Sequence, residues 1–499
     1  MTVVLGVDIG TYEAKGVLVR ADGHIVAQHR RPHRVTVPAP GFLEHDPETV
    51  WWQGFVAVTA ALLTESGLSA MDIAAVAVSG IGPCVLPIDA DGNPLRGAIL
   101  YGVDARAEEQ IAQLNAALGP VEVLRSGTAL TSQSAGPKVN WIEQHEPAVF
   151  ARAAKFVTCQ TFVTGRLTDR WIIDYATGAY YHPFYDQRTH TWNLDGNPGT
   201  LRIEQLPELG WSSDVAGEIT ASAAAETGLR AGTPVLVGAP DAAAEALSAG
   251  VTSHRDMMLM YGSSHFLIEV LDAPHNSPDL WPAPFLFRDT YLLAAGTATA
   301  GSFTRWYADL LAPDAGGSDE VFGELAGLAA KSPPGARGLL ALPYLSGERT
   351  PLYDAGARGA FLGLSLDHNR GDLARAVVES IAHSAAAALR SFDAEGLPPQ
   401  RIRAVGGGTK NRVWAQAVTD ISGYPQEIVS GPGAAYGDAM LAARAVLNPR
   451  DLDQWVTPTA TLVPRTEYTA LYARQRELFD EFYRATRPIL AGLIELRES

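Results

Sequence analysis

Val3-Val4-Leu5-Gly6-Val7-Asp8-Ile9-Gly10-Thr11-Tyr12-Glu13-Ala14-Lys15-Gly16-Val17-Leu18-Val19 begins with an apolar, β-branched run, breaks into polar residues and returns to an apolar run. The pattern predicts two strands joined by a tight turn, with the polar atoms gathered at the tip. That tip offers a carboxylate (Asp8), a hydroxyl (Thr11), an ammonium (Lys15) and, at Gly10, a residue that lets the backbone approach a ligand. Such a set suits the terminal phosphates of a nucleotide and their Mg2+, the carboxylate toward the metal and the donors toward phosphoryl oxygens. It equally suits an ordinary hairpin with a solvated turn, and short glycine motifs alone do not separate the two.

Composition narrows the classes. A chain of 499 residues is long enough for more than one domain. Hydrophobic residues at 47% and charged ones at 19% fit a well-cored globular protein and not a disordered one. A formal net charge of −17 argues against nucleic acid or an anionic membrane surface as partner, while leaving room for a local basic site that binds nucleotide. The two cysteines, Cys84 and Cys159, form no CxxC pair and no His/Cys cluster, which fits a reducing compartment. No signal-like start and no long apolar run occurs, so a soluble, cytoplasmic protein is expected.

Strand and helix patterns alternate in both halves. A helix is predicted from Pro47 into the Val50–Leu63 run, with Asp46 as its N-cap. Ile73–Ser79 reads as a buried strand, with Val85–Asp89 as its partner after a Gly-Pro turn, and a helix is expected over about Asp104–Leu118. Thr233–Gly238 is a short strand running into Ala239-Pro240-Asp241 and a small-residue helix. Met257–Tyr261, the turn Gly262-Ser263-Ser264 and Phe266–Val270 repeat the opening arrangement. Ile402–Val405 then leads into Gly406-Gly407-Gly408-Thr409-Lys410-Asn411 and a helix over about Val413–Ile421. This alternation predicts an α/β fold of two similar lobes. Neither a Walker P-loop nor a GxGxxG dinucleotide turn is present.

A longer pattern decides among nucleotide folds. Gly359-Ala360-Phe361-Leu362-Gly363-Leu364, then Asp372-Leu373, then Ala376-Val377-Val378-Glu379, matches a signature of the FGGY carbohydrate kinases, and the chain resembles that family. Gly347-Glu348-Arg349-Thr350-Pro351 and the Gly406–Asn411 loop resemble further family segments. Lys138–Pro147 resembles the first signature, with Ala135 where Pro, Ser or Thr is usual. The likeness covers about residues 1–447 and implies an actin-like (ribonuclease H-like) ATPase fold. The expected lobes are 1–247, with the phosphate hairpin and catalytic Asp, and 248–499, with the adenosine site, around a nucleotide and sugar cleft.

The resemblance implies roles for individual residues. Asp241 matches the catalytic base that takes the proton of the attacking sugar hydroxyl; by position it equally reads as a helix cap. The dipole of the following helix predicts an ionised Asp241 at neutral pH. Asp8 matches the Mg2+-side carboxylate, and Gly10, Thr11 and Lys15 match phosphate contacts. Gly262, Ser263, Gly301 and Arg305 match contacts to ATP, and Gly407 and Asn411 contacts to adenosine, although Arg305 also suits a solvated helix face. Glu348 and Arg349 suit a structural ion pair as well as a catalytic one.

The acceptor side departs from the pattern. Gly82 and Pro83 stand where xylulose kinases carry Met-His and glycerol kinases Arg-Glu, so two acceptor-contacting side chains are missing. Asp104 and Arg106 match the family's DxR segment, which also reads as a surface pair at a helix start. Trp51, Tyr180, Tyr181 and His182 are further candidates for meeting sugar hydroxyls. The implied reaction is ATP- and Mg2+-dependent phosphorylation of a small sugar or polyol, with a ketopentose such as D-xylulose as leading acceptor. Ribulose, a tetrulose, a hexulose and a glycerol-like polyol remain alternatives, as do an actin-like ATPase and a non-catalytic sugar sensor. The resemblance also allows a homodimer.

Overall fold

The computed structural model describes residues 2–119, 130–311, 319–431, 433–447 and 452–498. Two compact units divide the chain: Met1–Thr252, Val270–Leu292 and Gly431–Val456 form one, and Ser253–Glu269, Leu293–Ser430 and Thr457–Ser499 the other.

The sheet of the first unit is built on Val3–Ile9, whose residues, Asp8 included, are buried on both faces. This strand pairs antiparallel with Glu13–Arg20, setting Asp8 opposite Lys15, and parallel with Ile73–Gly80, setting Asp8 opposite Ser79. The order is Val215–Glu218, Pro234–Leu236, Ile73–Gly80, Val3–Ile9, Glu13–Arg20, Ile25–Pro32, with Ala239–Pro240 also paired to Ile73–Gly80. Asp46 caps the turn at Pro47–Trp52, its Oδ1 accepting from Thr49 N at 2.8 Å, and the helix Gln53–Ser66 continues to Gly67 in the left-handed region. Phe55, Val58 and Leu62 on that helix join the core beneath the hairpin. The helix Ala434–Val446 also packs on the sheet at very short range, because a Cβ at Gly6 would stand 2.1 Å from the Ala435 carbonyl oxygen.

Two sequence expectations are corrected here. The strand predicted at Val85–Asp89 is Leu86–Ile88, and it pairs antiparallel with Lys155–Val157 instead of with Ile73–Gly80. Both edges of Ile73–Gly80 are already taken, by Val3–Ile9 on one side and by Pro234–Leu236 and Ala239–Pro240 on the other. The helix expected from Asp104 begins at Glu108, since Asp104 and Arg106 are held in the turn before it.

The second unit repeats the central arrangement of the first. Asp256–Tyr261 pairs antiparallel with His265–Leu271 and parallel with Arg401–Val405, which in turn pairs with Gln426–Ile428. Two residues of the C-terminal signature fasten its helices. Asp372 forms a capping box with Asn369 at the start of Arg370–Ala394. Glu379, buried on that helix, accepts from Arg375 Nε at 2.7 Å, Gly335 N at 3.0 Å, Tyr472 Oη at 2.8 Å and Gln475 Nε2 at 3.2 Å. Tyr472 and Gln475 belong to the long helix Thr469–Glu498, so the signature carboxylate anchors the chain's last element. Among the described residues no helix is long and apolar enough to cross a membrane.

Candidate active site

Sheet register brings the first-unit candidates together. Asp8 and Ala239 are both direct partners of Ser79 on Ile73–Gly80, and Asp241 follows Ala239-Pro240 as the first residue of the helix Asp241–Ser248. Parallel strands thus deliver Asp8 and Asp241 to one end of the sheet, where open α/β folds bind ligands. The helix N-cap is Pro240, and Asp241 instead accepts from the backbone N of Ala242 through Oδ1 at 2.7 Å. Lys15, across the hairpin from Asp8, lies 3.1 Å from Glu13 Oε1.

The electrostatics of this cluster overturn one expectation. Burial first, and then the neighbouring charge of Asp8, push the Asp241 carboxyl up to about 8. Burial likewise lifts Asp8 to about 6 against the lowering pull of Lys15, and raises Glu245. Asp241 was expected to be ionised at neutral pH by its helix dipole. Desolvation and a nearby carboxylate outweigh that dipole, because each acts directly on the charged form. Asp8 and Asp241 therefore titrate as a coupled pair.

A third carboxylate joins them that sequence reasoning missed. Ser79 Oγ lies 2.7 Å from Asp438 Oδ2 and 3.2 Å from Asp8 Oδ1, and Ser79 N donates to Asp438 Oδ2 at 3.1 Å. Asp438 is fully buried on the helix Ala434–Val446. A charged residue inside the small-residue run Ala434–Ala443 was the available signal, but its partner lies at the other end of the chain. Glu245, one turn after Asp241, was also missed.

This crowding of acidic groups, with Lys15 as the cation acting on Asp8, Asp241 and Glu245, fits a site completed by added positive charge. Among the described residues no group of three His, Cys, Asp or Glu side chains is placed to hold a metal alone. Mg2+ is commonly bound by one or two carboxylates together with phosphate oxygens and water, and Asp8 fits that mode.

Around the hairpin tip, Trp51 Nε1 donates to His45 Nδ1 at 3.1 Å, which leaves His45 Nε2 to donate to the Thr11 carbonyl at 3.0 Å. Trp51 is thus a buried brace of the turn. Tyr101, also missed from sequence, lies within electrostatic reach of Thr11 and Asp241.

On the acceptor side, a Cβ at Gly82 would stand in ordinary van der Waals contact with Gly80 O, Thr158 Oγ1 and Thr177 Cγ2 at 3.7–3.8 Å, so no clash requires glycine there. Pro83 and Cys84 are buried, and Cys84 N donates to Thr158 Oγ1 at 3.2 Å. Asp104 and Arg106 form a fully buried ion pair and not a surface one, with Arg106 Nη2 to Asp104 Oδ2 at 2.8 Å. Asp104 also accepts from Leu43 N at 2.6 Å, and Arg106 Nη1 reaches Glu44 Oε1 at 2.7 Å. Tyr181 Oη is spent on the Cys84 carbonyl and His182 Nε2 on Ser134 Oγ, while Tyr180 is half-buried.

In the second unit, Gly262 and Ser263 are stitched to the start of the helix Gly301–Leu311. Gly301 N donates to the Gly262 carbonyl at 3.0 Å, and Ala300 N and Ser302 N donate to that of Ser263 at 2.8 and 3.0 Å. A Cβ at Gly301 would stand 2.5 Å from the Gly262 oxygen, so glycine is required there. Arg305 lies on an exposed face, 3.1 Å from Asp309. The Gly406–Asn411 loop packs on Tyr261, next to Gly262, with open space at Gly407. Asn411 caps the helix Arg412–Ser422, its Oδ1 accepting from Trp414 N at 3.1 Å. Glu348 accepts from Ala298 N at 2.6 Å, Arg349 N at 2.8 Å and Ser384 Oγ at 2.7 Å, and the Arg349 guanidinium donates to the Thr297 carbonyl. Both residues are held by contacts within the second unit.

Comparison with known proteins agrees with this architecture. Residues 3–248 match the N-terminal domain, and residues 257–446 the C-terminal domain, described for the FGGY family of carbohydrate kinases. A xylulose kinase of Staphylococcus epidermidis is 29% identical, with 99% of each chain covered. The xylulose kinase of Escherichia coli K12 is 29% identical over 98% of this chain and 100% of its own. The crystal structure of xylulose kinase from Rhodospirillum rubrum superposes with a TM-score of 0.91 at 33% identity, covering 98% of this chain and 100% of that one.

Proposed function

The chain belongs to the FGGY family of carbohydrate kinases, and from that membership we propose that it transfers the γ-phosphoryl group of ATP to a hydroxyl of a small ketose, with D-xylulose as first acceptor. The observation that carries the reading is the convergence of Asp8, Asp241 and Lys15 at one end of the first sheet. The full-length similarity to xylulose kinases supports the acceptor.

In this reading Asp241 orients the acceptor hydroxyl and takes its proton at Oδ2, because Oδ1 is held by Ala242 N. A carboxyl raised to about 8 is a better base than a free aspartate once its proton has left. Phosphoryl transfer through a loose transition state depends chiefly on position and charge, which the fixed helix start supplies. Gly10, Thr11 and Lys15 receive phosphate oxygens, and Asp8 stands on the Mg2+ side. When bound, Mg2+ supplies charge neutralisation to the phosphates. Gly262, Ser263, Gly301 and Arg305 are taken as ATP contacts, and Gly407 and Asn411 as contacts to the adenosine. Gly82 and Pro83 line the acceptor pocket, and the buried Asp104–Arg106 pair fixes its wall.

A second acceptor class is favoured by the absence of hydrogen-bonding side chains at Gly82 and Pro83: a bulkier or less hydroxylated sugar, to which fewer hydrogen bonds are offered. ADP release measured across pentuloses, hexuloses, tetroses and polyols tests both. Stimulation greatest with xylulose supports the first reading, and greatest with a larger or deoxygenated ketose the second. No stimulation above ATP alone by any acceptor removes the kinase reading.

A further inference from the structure

Ser79 has one hydroxyl proton and two carboxylates to serve. Its Oγ lies within hydrogen-bonding distance of both Asp438 Oδ2 and Asp8 Oδ1, at 2.7 and 3.2 Å. If both carboxyls were ionised, one of these contacts would set lone pairs against lone pairs. Asp438 is wholly buried, and among the described residues its Oδ1 has no hydrogen-bond partner. An ionised carboxylate with an unsatisfied buried oxygen is costly, whereas a neutral acid leaves only a carbonyl unpaired. Two further acidic groups, Asp8 and Asp241, act electrostatically on it, and burial raises its carboxyl well above the usual range.

The packing that produces this contact is specific. Gly6 admits the Asp438 helix, since a Cβ there would stand 2.5 Å from Ala439 N and 3.1 Å from the Asp438 Cβ. Gly437 lets the same helix meet the backbone of the helix that begins with Asp241. Asp438 is therefore pressed against the catalytic end of the sheet from its C-terminal side of the sequence.

We propose that Asp438 is a positioning residue of the phosphoryl-transfer site: as a neutral acid it donates from Oδ2 to Ser79 Oγ, and so commits the Ser79 hydroxyl proton to Asp8 Oδ1. The Ser79 backbone N–H uses the remaining lone pair of Oδ2. Asp8 is held at a fixed angle for its cation by a chain that starts on the helix Ala434–Val446. The inference rests on the kinase reading in taking Asp8 as the metal-side carboxylate. Hydrogen bonds behind a metal-binding carboxylate commonly govern affinity.

Three measurements without a sugar acceptor test it, so failure of the kinase reading leaves them standing. Infrared difference spectra of the metal-free protein near neutral pH should show a neutral carboxylic acid band that Asp438→Asn removes; no lost band overturns the proposal. Calorimetric titration with Mg2+·ADP should show affinity weakened about tenfold or more in Asp438→Ala and Ser79→Ala. Binding of ADP without Mg2+ should stay unchanged in both. Asp438→Asn can still donate to Ser79 Oγ but gives up the bond from Ser79 N, since an amide nitrogen has no lone pair to accept it, so its affinity should fall between the parent's and that of Asp438→Ala. An Asn variant as weak as Ala would show that charge and not donation matters, and would overturn the assignment. Should Asp438→Ala fail to fold, Ser79→Ala carries the test, because unchanged Mg2+·ADP affinity there removes the chain.

Discussion

Gly437 lies so close to Ala244 that a Cβ added to it would stand 1.8 Å from the Ala244 carbonyl oxygen. Ala244 belongs to the helix that starts with Asp241, and Gly437 precedes Asp438. This backbone contact sets the spacing of two helices that each bring a carboxylate to the site. Gly437→Ala should destabilise the protein by about 1–3 kcal/mol or more, since neither backbone yields easily. Urea unfolding should show a lower midpoint, with kinase activity reduced beyond the loss of folded protein. A variant with unchanged midpoint would mean that the helices separate freely.

Asp241→Ala should lower sugar-dependent ADP release by roughly a hundred- to ten-thousand-fold while ATP affinity remains nearly intact. A coupled assay for ADP and a direct ATP titration separate the two. Retained turnover would exclude Asp241 as the base.

The raised carboxyls make the metal-free protein sensitive to alkali. Asp8 and Asp241 have an ordinary value of 3.8 and are lifted to about 6 and about 8 in the folded chain. The folded state thus holds protons that the unfolded state has released, and stability should fall as pH rises from about 4 to about 8. Glu245 raises both groups. Glu245→Gln should therefore lower both values and flatten this decline, read as melting temperature against pH. The acid limb of kcat/KM for the acceptor should move to lower pH in the same variant.

Asp104→Ala leaves the buried Arg106 guanidinium without one of its two carboxylate partners, Glu44 being the other. Removing one partner of such a pair should cost about 3–5 kcal/mol of stability, seen as an earlier urea transition. A large rise in acceptor KM with no loss of stability would instead make Asp104 a direct sugar contact.

Gly82→Met adds a side chain where a Cβ meets no clash. The expected outcome is a folded enzyme whose kcat/KM falls most for bulky acceptors, compared across a panel of ketoses. Equal losses for all acceptors would place Gly82 outside the acceptor pocket.

Much of this molecule was legible from local patterns. Apolar runs and turn residues located Val3–Ile9 and Glu13–Arg20, the matching hairpin of Asp256–Tyr261 and His265–Leu271, and the cap at Asp46. The C-terminal signature identified the family, although in the structure Asp372 and Glu379 serve to cap and fasten helices. These features rest on interactions between near neighbours, which a linear sequence displays directly.

What the sequence by itself determined was the α/β class, the family and the identity of the hairpin and Asp241 segments, because periodicity, turn chemistry and motif spacing are short-range properties. Tertiary structure decided what depends on residues far apart in the chain. Leu86–Ile88 pairs with Lys155–Val157 because the edges of Ile73–Gly80 are occupied. Asp104 and Arg106 are buried because Leu43 and Glu44 close over them. The Asp241 carboxyl is raised, against its own helix dipole, because folding desolvates it and brings Asp8 within electrostatic reach. Asp438 reaches Ser79 only after the sheet and the helix Ala434–Val446 have packed. Pairing partners, desolvation and like-charge repulsion arise from atoms that folding brings together, and no local pattern encodes them.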